Sequence, residues 1–298
     1  MFVKKPKDST DPRVRSLLQK AVRRGHSETV QRAACHLQSA GDKTWLRSRA
    51  VVITFEECWP MAQHLDITTR FESRLTTFLR VASAIKQKDA AGLGALAYAF
   101  SEGDKTMLDI VPSRRALKIV SEAIKRPVDF FEWAKEQCTS PPSLKIVDAA
   151  RQYLAAATWA WDKACIIAGA FLATTGDIPE CGAASEPDSD FPYWVALDKH
   201  TPQGKKVLRD IARERSISYR HLLWTSFYFE SAKVDAISKS PWWNAEKTWR
   251  LTRTGLTNDT ASQLWNQLHA VIAERLSTQA EELRNLVEHC TVNQISLF

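Results

Sequence analysis

Pro12-Arg13-Val14-Arg15-Ser16-Leu17-Leu18-Gln19-Lys20-Ala21-Val22-Arg23-Arg24-Gly25 is the stretch that decides the fold class. Val14, Leu17, Leu18, Ala21 and Val22 recur at helical spacing and form one apolar stripe. Pro12 suits the first turn of a helix and Gly25 suits its stop. The same grammar repeats downstream. Ser27 is placed to cap a second helix through about residue 40, with Val30, Ala33, Ala34 and Leu37 inward. Thr44 opens a third, through Trp45, Val51, Val52, Ile53 and Phe55, and Pro60 marks its end. Helical stretches follow at 70–88, 90–102, 114–125 and 127–137. After the break at Thr139-Ser140-Pro141-Pro142, residues 144–175 read as one long or two abutting helices. Others cover 202–214, 219–231, 245–252 and 258–289. Glycine is scarce, at 10 of 298 residues, and few stretches alternate with period two. The expectation is an all-α, multi-helix bundle.

Residues 176–192 hold three prolines, two glycines and several acids, which predicts a linker over 177–192. It would separate a first helical domain, 13–176, from a basic, aromatic helical domain, 193–298. Residues 1–12 read as a disordered basic tail. The net charge is +7, and it is unevenly placed. Residues 1–50 hold 12 Lys/Arg against 4 Asp/Glu, and residues 201–255 hold 11 against 5. Two basic blocks make a polyanion, DNA above all, the first partner to consider.

The six cysteines show no CxxC and no regular spacing, so they read as buried thiols of a reducing, cytoplasmic setting. The apolar region 153–175 is broken by Asp162-Lys163, which argues against a membrane span. No HExxH, GxSxG, GxGxxG or GxxxxGK[ST] occurs, and the seven histidines are scattered. No catalytic residue, metal site or cofactor is expected.

Two segments suggest nucleic-acid contact. In Asp198-Lys199-His200-Thr201-Pro202-Gln203-Gly204-Lys205, Thr201 caps a helix and Pro202 takes its first position. Such a start, flanked by Lys199, His200, Lys205 and Lys206, reads either as a plain cap or as a phosphate contact, continued by Arg209 and Arg213. Next, residues 211–223 resemble a helix-turn-helix: Ala212 at the crossing, Ser216 at the turn, Ile217 buried, Ser218 as cap. That pattern projects Tyr219, Arg220 and His221 toward a groove. Glycine would suit position 216 better if the turn needs positive φ. Trp242-Trp243 can be core, a partner anchor or a stacking platform for bases. Adjacent Glu56 and Glu57 do not share a helix face, so one is expected to pair with an arginine such as Arg49.

Leu17-Leu18-Gln19-Lys20-Ala21-Val22-Arg23-Arg24-Gly25, then Ala33-Ala34-Cys35-His36-Leu37, Gly41-Asp42, Trp45 and Arg49 to Glu57, resembles the C-terminal helical region of MgsA/RarA-type AAA+ ATPases, relatives of clamp loaders. The resemblance implies a helical collar that drives oligomerisation, usually to a tetramer, in a protein acting on DNA in replication or repair. It also implies Arg23, Arg24, Arg49, Glu56 and Glu57 as partner-facing positions. Without a phosphate-binding GxxxxGK[ST] loop, the family's ATPase activity is not expected to carry over. The function expected is a non-enzymatic, oligomerising, DNA-associated protein. The alternatives are a helix-turn-helix regulator and a protein-binding inhibitor of an AAA+ or other DNA-processing complex.

Overall fold

The computed structural model describes residues 11–68 and 70–290. Thirteen α-helices account for the architecture, and the described residues form no sheet. They are α1 (Pro12–Arg24), α2 (Ser27–Ser39), α3 (Lys43–Cys58), α4 (Phe71–Ser83), α5 (Asp89–Ser101), α6 (Arg114–Lys125), α7 (Pro127–Gln137), α8 (Pro141–Tyr153), α9 (Ala160–Ala173), α10 (Pro202–Glu214), α11 (Tyr219–Ser226), α12 (Pro241–Thr252) and α13 (Asn258–Glu288). The all-α expectation holds. No helix among the described residues is long and apolar enough to cross a membrane. Most of the proposed tail, residues 1–10, lies outside the described residues. Asp11 accepts the Arg13 N–H at 2.9 Å as cap of α1, and Gly25 ends that helix at φ 78°.

The local chemistry explains the boundaries. The apolar stripe of α1 is wholly buried, and α1 packs on α2 and α4. Ser27 occupies the first helical position of α2 rather than its cap, which falls on His26. The expected helix over 70–88 stops at Ser83. There Lys86 turns back, and its buried ammonium donates to the carbonyls of Val81, Ala82 and Ala84 at 2.7–2.9 Å. These are the orphan carbonyls of the last turn of α4, so the lysine ends the helix. The stretch 144–175 resolves into α8 and α9, joined by a 3-10 turn at Leu154–Ala156. α13 runs 31 residues and buries Trp265, Leu268, Ile272, Leu276, Leu283 and Val287 along one side.

Three extended segments meet at residues 83–88. The Ile85 N–H donates to Gly182, the Ala184 N–H to Ser83, and the Lys86 N–H to Ala236. Residues 177–192, expected to be a linker, are therefore hydrogen-bonded onto the N-terminal helices. One apolar core runs from Val14 to Val287 across both proposed domains. α12 seats on α5 at Gly92, where an added Cβ would overlap the backbone of Trp242 and Trp243. The Trp242 N–H also donates to Asp89 at 2.8 Å. The C-terminal helices return to the N-terminal ones and close a space between them.

Candidate functional site

That space is a cavity of about 730 Å³. α1 contributes Arg15, Lys20 and Arg23 from one face, and α3 contributes Trp45, Arg49 and Glu56 from another. Both sets follow helical spacing, so each is one stripe. The start of α9 adds Trp161 and Asp162, preceded by Trp159. The turn before α10 adds Lys199 and His200. α11 and the π-turn after it add Trp224 and Phe227, and α12 adds Trp243, Glu246 and Arg250. Six cations and six aromatic rings thus line one wall system with three carboxylates.

Nearly every cation is held. Arg15 grips Asp42 through two hydrogen bonds of 2.6 and 2.7 Å. Lys20 lies 2.7 Å from Asp198, both almost fully buried. Arg23 reaches Glu57 at 2.7 Å and Glu56 at 2.8 Å, and Lys88 reaches Glu57 at 3.0 Å. The arginine that pairs with Glu56 and Glu57 is thus Arg23, while Arg49 pairs with Asp162 at 3.4 Å. Arg250 pairs with Glu246 at 3.4 Å, and the Tyr228 hydroxyl donates to the same carboxylate at 2.5 Å. Lys199 differs. Its ammonium stands 3.6 Å from the centre of the Trp224 ring and 3.8 Å from that of Phe227.

The electrostatics follow from burial against pairing. Burial pushes the Glu57 carboxyl up, but Arg23 and Lys88 outweigh it and hold it at about 2. Burial likewise raises Asp198, and Lys20 with His200 overcomes it and drives it far below the carboxylate range. The His200 imidazole is pushed down by burial against the pull of Asp198. It lines the open cavity, and its Nδ1 lies 3.0 Å from Asp198. Burial lowers the Lys199 amine to about 7; Asp198 and Glu246 oppose this, and Arg250 and Lys20 add to it.

The expected nucleic-acid residues divide. Lys199 and His200 face the cavity. Thr201 is fully buried and accepts the Gly204 N–H at 3.2 Å, a cap worth ~1 kcal/mol. The carbonyls of Leu197 and Asp198 press on Gly204, so the start of α10 is covered by its own chain and is not a phosphate cradle. Lys205, Lys206, Arg209, Arg213 and Arg220 are exposed on α10 and α11, and Lys206 pairs with Asp210 at 2.7 Å. Ser216 adopts φ 52°, the positive region where glycine would fit better. Tyr219 is half-buried under Arg209, and His221 bonds the Thr254 carbonyl at 2.6 Å. Of the three expected groove readers, Arg220 is the exposed one.

The expected partner-facing set is corrected. Arg23, Arg24, Glu57 and Trp242 are buried, because they hold the chain's own elements together. Arg24, for instance, bonds the side chain and carbonyl of Glu230. Arg49, Glu56 and Trp243 face the cavity instead. Lys20, Trp45, Trp159, Trp161 and Trp224 join them in the wall, though nothing in the sequence marks them individually as site residues. Their signal was present in part: a dense mix of tryptophan and arginine is unusual for a plain core. Among the described residues no group of three or more His, Cys, Asp or Glu is placed to hold a metal ion. No protein-family model, no curated protein and no solved structure matches the chain.

Proposed function

We propose that the protein is a non-enzymatic, nucleic-acid-associated binding protein whose cavity takes one nucleotide unit, free or within a strand. The observation that carries this is the wall itself: six rings to stack on a base, and Lys199, a cation with no carboxylate partner among the described residues, to meet a phosphate. A volume of about 730 Å³ falls within the range of ligand pockets. Trp159, which lines the cavity, is 68 % exposed and so accessible to a ligand. The exposed Lys205, Lys206, Arg209, Arg213 and Arg220 remain available to the phosphates of a strand. The resemblance of residues 17–59 to the AAA+ collar supports a multimer working in replication, repair or mobile-element biology.

Tryptophan fluorescence during titration with adenosine monophosphate and with a short single-stranded DNA tests the proposal. Quenching by both, with strand affinity falling steeply as salt rises, is the expected result. Quenching by the mononucleotide alone assigns the site to a free ligand. No response to either at millimolar concentration refutes it. Light scattering tests the multimer, and a strict monomer at micromolar concentration refutes that part.

A further inference from the structure

Among the cations of the cavity wall, Lys199 has no carboxylate within ion-pair distance and no hydrogen bond among the described residues. The neighbouring carboxylates are engaged: Asp198 by Lys20 and His200, and Glu246 by Arg250 and Tyr228. Only the faces of Trp224 and Phe227 hold its amine, which borders about 730 Å³ of open space. We propose that Lys199 captures an anionic aldehyde ligand covalently and reversibly, as an imine. The proposal rests on the nucleotide-unit reading only in the anionic character of the ligand.

The step balances without a redox partner. The free amine adds to the aldehyde carbon; the N–C bond forms as the carbonyl π pair moves to oxygen. That oxygen takes up the proton lost by nitrogen and one proton from solvent, then leaves as water. Amine, aldehyde and one proton give a protonated iminium and one water. The iminium, like the ammonium, keeps its contact with the Trp224 and Phe227 rings. Arg250 nearby supplies a counter-charge for an anionic group on the aldehyde.

The groups facing the amine also favour its reactive form. Burial, Arg250 from α12 and Lys20 from α1 destabilise the ammonium; Asp198 beside it and Glu246 from α12 oppose them, and the adjacent His200 has its own imidazole pushed down. The balance sits at about 7, so a large share of Lys199 is free amine at neutral pH.

Pyridoxal 5′-phosphate is a suitable probe, being an aromatic aldehyde with a phosphate. The full chain is incubated with one equivalent, reduced with borohydride, digested and mapped by mass spectrometry. The expected result is an adduct on Lys199 at least about tenfold ahead of the exposed Lys205 and Lys206, slower with unphosphorylated pyridoxal, and lost in Lys199→Arg. Its rate should rise through pH 7 and level off by about pH 9. Labelling confined to surface lysines, or a rate that climbs to pH 10 like an ordinary lysine, overturns the proposal. Protection by adenosine monophosphate supports both readings. An adduct on Lys199 without such protection supports covalent capture and counts against nucleotide binding.

Discussion

Replacing Glu57 with glutamine probes the charge network beneath the cavity. Glu57 is 1 % exposed and joins α3 to α1 through Arg23 and to the 83–88 segment through Lys88. Its carboxyl sits at about 2 against an ordinary 4.5, a gap worth ~3 kcal/mol of folding stability. Breaking a buried pair from one side costs about 3–5 kcal/mol. Two features hold Glu57→Gln to the lower end. The amide keeps the shape and one acceptor. Arg23 also retains Glu56 and the Ser231 carbonyl, and Lys88 retains the Trp243 ring at 4.6 Å. The expected loss is ~3 kcal/mol in urea unfolding at neutral pH. Because the folded-state value is depressed, the contribution is complete above 4.5 and fades as pH falls toward 2. The gap between wild type and variant should therefore shrink steadily from pH 5 to pH 3, other carboxylates being common to both. A gap below about 0.5 kcal/mol at pH 7, or one that stays constant down to pH 3, would refute the reasoning.

Three further outcomes follow from single contacts. Gly92→Ala forces a methyl into the Trp242 backbone, so it should cost more than ~2 kcal/mol and weaken any cavity ligand by moving Trp243; wild-type melting would contradict this. Ser216→Gly should stabilise by roughly 1 kcal/mol, since the residue stands at φ 52°; an unchanged or lower midpoint in urea would count against it. The Cys58 and Cys181 sulfurs lie 3.1 Å apart, so mild peroxide should join them, two thiols and one peroxide giving a disulfide and two waters. Four titratable thiols in the unfolded, oxidised chain instead of six would show it, and six would refute it.

Much of the helix content was legible because caps and breakers act locally. Pro12, Pro127, Pro202 and Gly25 set ends that the structure reproduces. Segment 84–88 was misread as helix because its fate depends on partners at 182–184 and 236–238, which no local signal announces. The cavity was legible only in pieces. Lys199 and His200 were singled out beside a helix start, yet the backbone at Leu197 and Asp198 covers that start and turns both side chains the other way. The basic block at 1–50 points to a polyanion partner, whereas Lys20 and Arg23 are spent on Asp198, Glu56 and Glu57. Composition counts charges but cannot distinguish a hydrated lysine from one buried against an acid 178 residues away.

The cavity has walls drawn from both ends of the polypeptide, from α1 to α12. Whatever settles there touches elements already joined by one continuous apolar core and by buried pairs such as Lys20–Asp198 and Arg24–Glu230. Occupancy and folding are then a single equilibrium: a ligand present at a hundred times its dissociation constant deepens the native well by ~2.7 kcal/mol. If a ligand binds there, resistance to proteolysis should rise with its concentration.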